Sequence, residues 1–289
     1  MNAYNIILFF LNFIGFFAMF FLGKKVFSFI TRDYNLNYEL VENDNPAVAL
    51  GVTGYYIALV LVIGGSIVGP SNGIILDLIN LCVYSILGII LINLSIFICD
   101  IFILYKFKVT DELIQDRNQG TGVVVFGSLL SSAIIIFASL SGEGGSILTA
   151  CFFWGMGQIF LIIASFVYNL ITPFNIHKEI QNDNAAAGIC FSGVLISIGI
   201  ILGFALEGEF ISWQANISEF LFYALTGLIM LPIVRFFSDK ILLPNVNLSD
   251  EIRGLKKDKT IESRGPNIGA AYIESFSYIA GAFIVYLCL

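Results

Sequence analysis

Eight long apolar segments constrain this chain more than any other feature of its sequence. Each holds about 20 or more mostly apolar residues, the length with which an α-helix crosses roughly 30 Å of hydrocarbon. We therefore predict an all-α polytopic membrane protein with about eight transmembrane helices. The segments cover residues 4–30, 46–68, 77–104, 120–141, 146–172, 185–207, 216–239 and 266–289.

The composition agrees with this prediction. Hydrophobic residues make up 58% of the chain and charged residues 12%, and the mean hydropathy is +0.90. Soluble domains have about 25% charged residues, so the composition excludes a nucleic-acid binder and a secreted disulfide scaffold. His177 has no second ligand at metal-binding spacing, and the sequence contains no nucleotide-binding, nucleophile or metalloprotease motif. We expect no cofactor, no metal and no enzymatic activity.

The connections between the segments alternate in length and charge. Three are short and contain Gly, whereas the four near residues 31–45, 105–118, 173–184 and 240–265 are longer and charged. All 14 Lys and Arg residues lie in or beside the longer connections. Because basic loops stay in the cytoplasm, this pattern predicts that the longer connections are cytoplasmic and that both termini are extracytoplasmic.

A repeated pattern begins every second apolar segment. It consists of Asn, any residue, a small residue, any residue and a second small residue, and it predicts four helical hairpins. The four Asn residues are Asn45, Asn118, Asn184 and Asn267. Nine residues after the Asn, the first three copies have Gly54, Gly127 and Gly193, whereas the fourth copy has Phe276.

The repeated Asn has two interpretations. An Asn side chain accepts a hydrogen bond from an unpaired amide of the first helical turn, which makes Asn a favoured N-cap. Small residues on one helix face let two helices approach closely in lipid, so the repeat is then a set of caps and packing seams. On the second interpretation, the four helix starts converge, and their free amides hold an anion or a lipid phosphate.

These hairpins, with Asn-x-Ala-x-Gly after an acidic amphipathic approach, resemble a family of uncharacterised bacterial inner-membrane proteins, the YjfL-like proteins (domain of unknown function 350). The resemblance covers nearly the whole chain, although residues 263–266 and Phe276 depart from the pattern. Members typically have four spans, so the resemblance implies two similar four-helix units in tandem, residues 1–141 and 146–289. It also implies the bacterial plasma membrane as the location, and no established activity comes with it.

Ionisable residues inside a span are costly and are therefore candidates for function. Glu274 is the deepest, seven residues after Asn267, and the other three copies have Val52, Val125 and Phe191 at this position. We expect Glu274 to be a proton or cation site. The alternative is a carboxyl that burial keeps neutral and that a neighbouring helix hydrogen-bonds.

The remaining candidates for a transport or ion site are Asn93, Asp100, Asn169 and Asp239. Asn93 lies in the middle of a span, where an interhelical hydrogen bond is the alternative to a place on a path. Asp100 and Asp239 lie near the cytoplasmic helix ends, where the alternative is a solvated ion pair with a nearby Lys. Arg235, one turn before Asp239, fits the same snorkelling account.

Two functions follow from these features. The first is a transporter or channel for a small solute or ion, which uses Glu274, Asn93 and the capped helix ends. The second is a non-transporting structural or accessory membrane protein that packs against a partner through small-residue seams. The expected partners are the lipid bilayer and either a second copy or another membrane protein, with no nucleic acid.

Overall fold

A computed structural model describes residues 3–69, 71, 73–142, 144–255 and 265–289. These residues form helices and contain no strand, and eight of the helices are long and apolar enough to cross a membrane, which confirms the predicted fold class. The long helices are α1 (Ala3–Ile30), α2 (Pro46–Ile67), α3 (Ile74–Ile98), α5 (Gln119–Ser141), α6 (Ile147–Ile171), α8 (Ala185–Phe204), α9 (Trp213–Phe237) and α11 (Ile268–Cys288).

The longer connections contain secondary structure of their own. Three short helices lie there, α4 (Val109–Ile114), α7 (Ile176–Gln181) and α10 (Leu248–Arg253). A π-helical turn precedes α2 at Tyr38–Glu42, and two more extend α3 and α9, at Cys99–Ile103 and Ser238–Leu242. Residues 256–264, which include part of the charged segment before α11, lie outside the described residues.

The helices form two layers. The helices that begin with the repeated Asn lie side by side in the order α2, α5, α8, α11, and each packs extensively on the next. On one side of this row, α3 contacts α2 and α5, α6 contacts α5 and α8, and α9 contacts α8 and α11, while α1 packs on α2 and α3. Among the eight spans α8 is the most deeply buried and α1 the most exposed.

Small residues set the spacing within the row. A Cβ atom added to Gly54 would lie 2.7 Å from the Cα of Phe126 in α5, and one added to Gly193 would lie 2.6 Å from the Cα of Ser275 in α11. Likewise, a Cβ atom added to Gly127 would lie 2.9 Å from the Cα of Ser192 in α8. Each Gly therefore faces the residue eight positions after the Asn of the next helix, and it lets two backbones approach to a distance that a side chain would prevent.

The departure of the fourth copy follows from the position of α11 at the end of the row. Phe276 stands where the other copies have Gly, and 62% of its surface is exposed on the outer face of α11. Within the described residues no helix follows α11 in the row, so this position needs no close approach. A terminal repeat that differs in its outer face is typical of repeat architectures.

Candidate functional site

Each repeated Asn caps its own helix. The Oδ1 atom accepts a hydrogen bond from a backbone amide of the first helical turn in all four cases. The donors are Val48 and Ala47 for Asn45, Thr121 for Asn118, Ala187 for Asn184 and Ala270 for Asn267, at 3.0–3.3 Å. The repeat thus satisfies amides that a helix start would leave unpaired.

The Nδ2 atom of each Asn donates to a Glu carboxylate in the preceding connection. The acceptors are Glu39 at 3.0 Å, Glu112 at 2.7 Å, Glu179 at 3.0 Å and Glu251 at 2.7 Å. Burial raises the pKa of Glu112, and the hydrogen bond from Asn118 opposes that rise. The Asn side chain already accepts from a first-turn backbone amide, and a carboxylate lies beside each cap, so these helix starts suit an anion less well than the second interpretation requires.

The same Nδ2 atoms also join consecutive hairpins. Asn45 donates to the Leu113 carbonyl at 2.9 Å, Asn118 to Ile180 at 2.6 Å and Asn184 to Ile252 at 3.0 Å. Each acceptor follows the Glu of the next hairpin directly in sequence. We call this arrangement of Asn, Glu and carbonyl the Asn latch.

Sequence reasoning missed the Glu residues of the Asn latch. The signal was a Glu followed by Leu or Ile in each longer connection: Glu39-Leu40, Glu112-Leu113, Glu179-Ile180 and Glu251-Ile252. The first three Glu residues precede their Asn by five or six positions, whereas Glu251 precedes Asn267 by 16. The longer fourth connection hid the spacing.

Asp100, Asn169 and Asp239 share one structural position. Each Oδ1 atom accepts a hydrogen bond from the first amide of the short helix that follows, with Val109 at 3.4 Å, Ile176 at 3.0 Å and Leu248 at 2.9 Å. Asp239 also forms an ion pair with Lys240 at 2.8 Å. These side chains fix the angle between each of α3, α6 and α9 and the connection that follows it. Of the three, only Asp239 lies beside the ion pair that Arg235 forms with Glu274.

Glu274 is fully buried and forms an ion pair with Arg235. An oxygen of the carboxylate lies 2.5 Å from Nη1 of Arg235, whose side chain is 11% exposed. The sequence prediction that Arg235 snorkels to the surface is therefore wrong. The guanidinium turns inward between α9 and α11 because Glu274 supplies a countercharge there, which makes burial less costly than it would be alone.

Tyrosine and serine hydroxyls surround this ion pair. Tyr168 of α6 donates to the same Glu274 oxygen at 3.2 Å, and Nη2 of Arg235 donates to the Ser249 hydroxyl of α10 at 2.9 Å. The second carboxylate oxygen of Glu274 and the hydroxyl of Tyr278 are buried without a hydrogen-bond partner among the described residues. A buried unpaired oxygen on a charged group is costly and is therefore a functional candidate.

A cavity of about 240 Å³ adjoins the Arg235 side of the ion pair. Polar lining comes from Arg235, Asp239, Asn247 and Ser249, and apolar lining from Ile171, Pro232, Phe236 and Leu248. One water occupies about 30 Å³ in the liquid, so the cavity has room for several waters or a small solute. We call the ion pair, its hydroxyls and this cavity the Arg235–Glu274 site.

Asn93 lies in a separate polar cluster in the first half of the chain. Its Nδ2 atom donates to the Tyr55 hydroxyl at 3.0 Å and to the Ile89 carbonyl at 2.7 Å, and Tyr55 donates to the Gly23 carbonyl at 3.0 Å. These bonds join α1, α2 and α3. Asn93 thus forms an interhelical hydrogen bond, the alternative to a place on a transport path, and it lies apart from Glu274.

Comparison with known proteins places this architecture in a family. Residues 1–140 and 144–289 each match the family model described as Domain of Unknown Function (DUF350). The chain is 24% identical over 267 residues to a UPF0719 transmembrane protein of Aquifex aeolicus, an alignment that covers 91% of this chain and 93% of the relative. It is 29% identical over 126 residues to the UPF0719 transmembrane protein YshE of Bacillus subtilis, which covers 43% of this chain and 89% of that protein.

No solved structure matches this chain. The two family matches lie in tandem and together span nearly all of the sequence. The chain is therefore a multi-pass membrane protein that belongs to the DUF350 family.

Proposed function

We propose that this protein transports a small solute or ion across the bacterial plasma membrane. The observation that carries the proposal is the buried Arg235–Glu274 ion pair beside a cavity of about 240 Å³. The location rests on the bacterial relatives, which are transmembrane proteins. The proposal assigns the protein no enzymatic activity.

The fold alone gives no reason for the two charges. The positions equivalent to Glu274 in the other hairpins hold Val52, Val125 and Phe191, and those helices pack in the same row. Replacing a buried ion pair by apolar residues is often neutral or stabilising, so such a pair is weak support for stability as its purpose. Ionisable groups inside membrane spans more often mark ion or substrate paths.

The helix that carries Arg235 also contains a site for bending. Pro232 lies inside α9, three residues before Arg235, and it lines the cavity. Proline has no amide hydrogen and disrupts the helical hydrogen bond to the residue four positions earlier, which weakens the helix there. Bending at Pro232 would move Arg235 relative to Glu274, the kind of motion that alternating access needs.

The proposal is tested by flux into proteoliposomes under an imposed pH gradient, with inorganic phosphate as the probe solute and luminal pH as a second readout. We expect Glu274→Gln to abolish or uncouple the flux, since Gln keeps the size of the side chain and loses the charge. Glu219→Gln is the matched control, because Glu219 also lies in α9 but is exposed. Equal flux in the wild type, Glu274→Gln and protein-free vesicles contradicts the proposal.

A non-transporting structural or accessory function is the second candidate. The Asn latch favours it, because three inter-hairpin hydrogen bonds hold the row of helices rigid at one end. Under this function, replacing the ion pair with Arg235→Met and Glu274→Leu together leaves a cellular phenotype unchanged. Loss of the phenotype in this double variant, with the protein still folded, favours transport.

A further inference from the structure

The geometry points to an oxyanion-binding site at Arg235, in which a phosphate or carboxylate group enters the cavity as Glu274 takes up a proton. This inference deepens the proposed function by naming its substrate class, and it rests on that function only for translocation. The binding step itself stands on the arrangement of Arg235, Glu274 and the cavity.

Donors that suit an oxyanion line the cavity. The guanidinium of Arg235 presents a planar fork that pairs with two oxygens of a phosphate or carboxylate. Its Nη2 atom points to the Ser249 hydroxyl at 2.9 Å, and both groups line the cavity together with Asn247. An oxyanion there would take hydrogen bonds from Arg235 and Ser249.

The charges around the cavity restrict what can enter. Arg235 faces Glu274 of α11 on its buried side, with Tyr168 of α6 and Tyr278 and Cys190 nearby. Asp239 also lines the cavity, but Lys240 lies 2.8 Å from its carboxylate and offsets its charge. The net charge of the Arg235 and Glu274 side chains together is therefore zero.

Charge balance couples the anion to a proton. An anion that paired with Arg235 while Glu274 stayed ionised would leave two negative charges beside one positive charge, and the fully buried Glu274 carboxylate would lose part of its countercharge, which is unfavourable. A proton transferred from solution to the Glu274 carboxylate restores neutrality with a monovalent anion bound, and Arg235 keeps all of its protons. The second oxygen of Glu274 has no hydrogen-bond partner among the described residues, so it is the atom that would carry this proton.

Two sources offer this chemistry, a free small anion and the phosphate of a lipid headgroup. The test measures binding of radiolabelled inorganic phosphate to the purified full chain in neutral detergent, at a pH where phosphate is monovalent. Proton uptake is recorded in weak buffer with an indicator dye. A parallel arm adds phosphatidylglycerol to the micelles as a competitor.

We expect saturable phosphate binding, with one proton taken up per phosphate in the wild type. Arg235→Gln should weaken binding by about tenfold or more, the loss expected for one charge-assisted hydrogen bond. Glu274→Gln should bind phosphate more tightly and without proton uptake, because Gln is permanently neutral and retains a hydrogen bond to Arg235. Glu219→Gln should match the wild type in both readouts.

The outcomes separate this inference from the proposed function. If phosphatidylglycerol displaces phosphate and no flux is found in proteoliposomes, the oxyanion site stands and the transport function is refuted. If phosphate binds to the wild type without proton uptake, or if neither probe binds in a manner that depends on Arg235, the inference is overturned. The Glu274→Gln variant keeps the test decisive even where Arg235→Gln does not fold.

Discussion

The substitution Gly193→Ala tests the packing of the row at the seam that positions Glu274. The added Cβ would lie 2.6 Å from the Cα of Ser275, the residue next to Glu274, against an ordinary contact distance of 3.4–4 Å. Since a backbone atom cannot rotate away, the backbones of α8 and α11 must shift by about 0.4 Å to reach 3.0 Å, the shortest distance that Cβ atoms tolerate, and by 0.8 Å to reach an ordinary contact of 3.4 Å. We expect this overpacking to cost about 1–3 kcal/mol.

The matched control is Gly155→Ala in α6, where an added Cβ has nothing within 4 Å. Both substitutions gain the same helix propensity, about 1 kcal/mol, so the difference between them isolates the steric cost. The assay is unfolding by SDS in mixed micelles, followed by circular dichroism and by the fluorescence of Trp154 and Trp213. Equal unfolding free energies for the two variants would show that α8 and α11 do not meet at Gly193 and Ser275.

Three further predictions concern the connections and the termini. Asn184→Ala should lower the unfolding free energy by about 2 kcal/mol or more, because it removes a helix cap and leaves the Ile252 carbonyl unpaired. Asn267 has no inter-hairpin bond among those described, so Asn267→Ala should lower it by only about 1 kcal/mol in the same assay. Equal losses in the two variants would argue against the inter-hairpin bond. Burial lowers the pKa of His177 from 6.5, so the folded state favours the neutral ring, and stability should fall as the pH drops below about 6.5. A thermal melt series of His177→Gln should lose less stability on acidification, and a wild-type slope in this variant would contradict the assignment. In a cysteine-free background, an impermeant maleimide applied to intact cells should label Leu289→Cys but not Lys108→Cys; the reverse pattern would invert the predicted topology.

The fold followed from the sequence because membrane spans leave strong signals. Apolar length alone located the eight spans to within a few residues, since lipid permits few alternatives to a helix of this length. The repeated Asn and Gly marked the helices that form the central row. The order of that row was not predictable, because it depends on which small-residue faces meet, and one sequence does not state the pairing.

The candidate site was less predictable for two physical reasons. Glu274 stood out as a carboxylate that its repeat does not require, but its partner Arg235 lies 39 residues away and looked like a snorkelling residue at a helix end. Whether a long side chain turns inward depends on a countercharge on another helix. The sequence marks Asp100, Asn169 and Asp239 as candidates for a transport or ion site, but their shared hydrogen bonds to the following short helices depend on connections whose helices the sequence does not predict.

On the mechanism we propose, Glu274 exchanges its pairing with Arg235 for a proton when an oxyanion arrives. Infrared difference spectroscopy measures this exchange directly, because a protonated carboxylic acid has a carbonyl stretch that a carboxylate lacks. We expect inorganic phosphate to induce this band in the wild-type protein and in Glu219→Gln, and we expect no such band in Glu274→Gln. A wild-type spectrum in which phosphate binds and no carboxylic acid band arises, or in which the same band persists in Glu274→Gln, would contradict this mechanism.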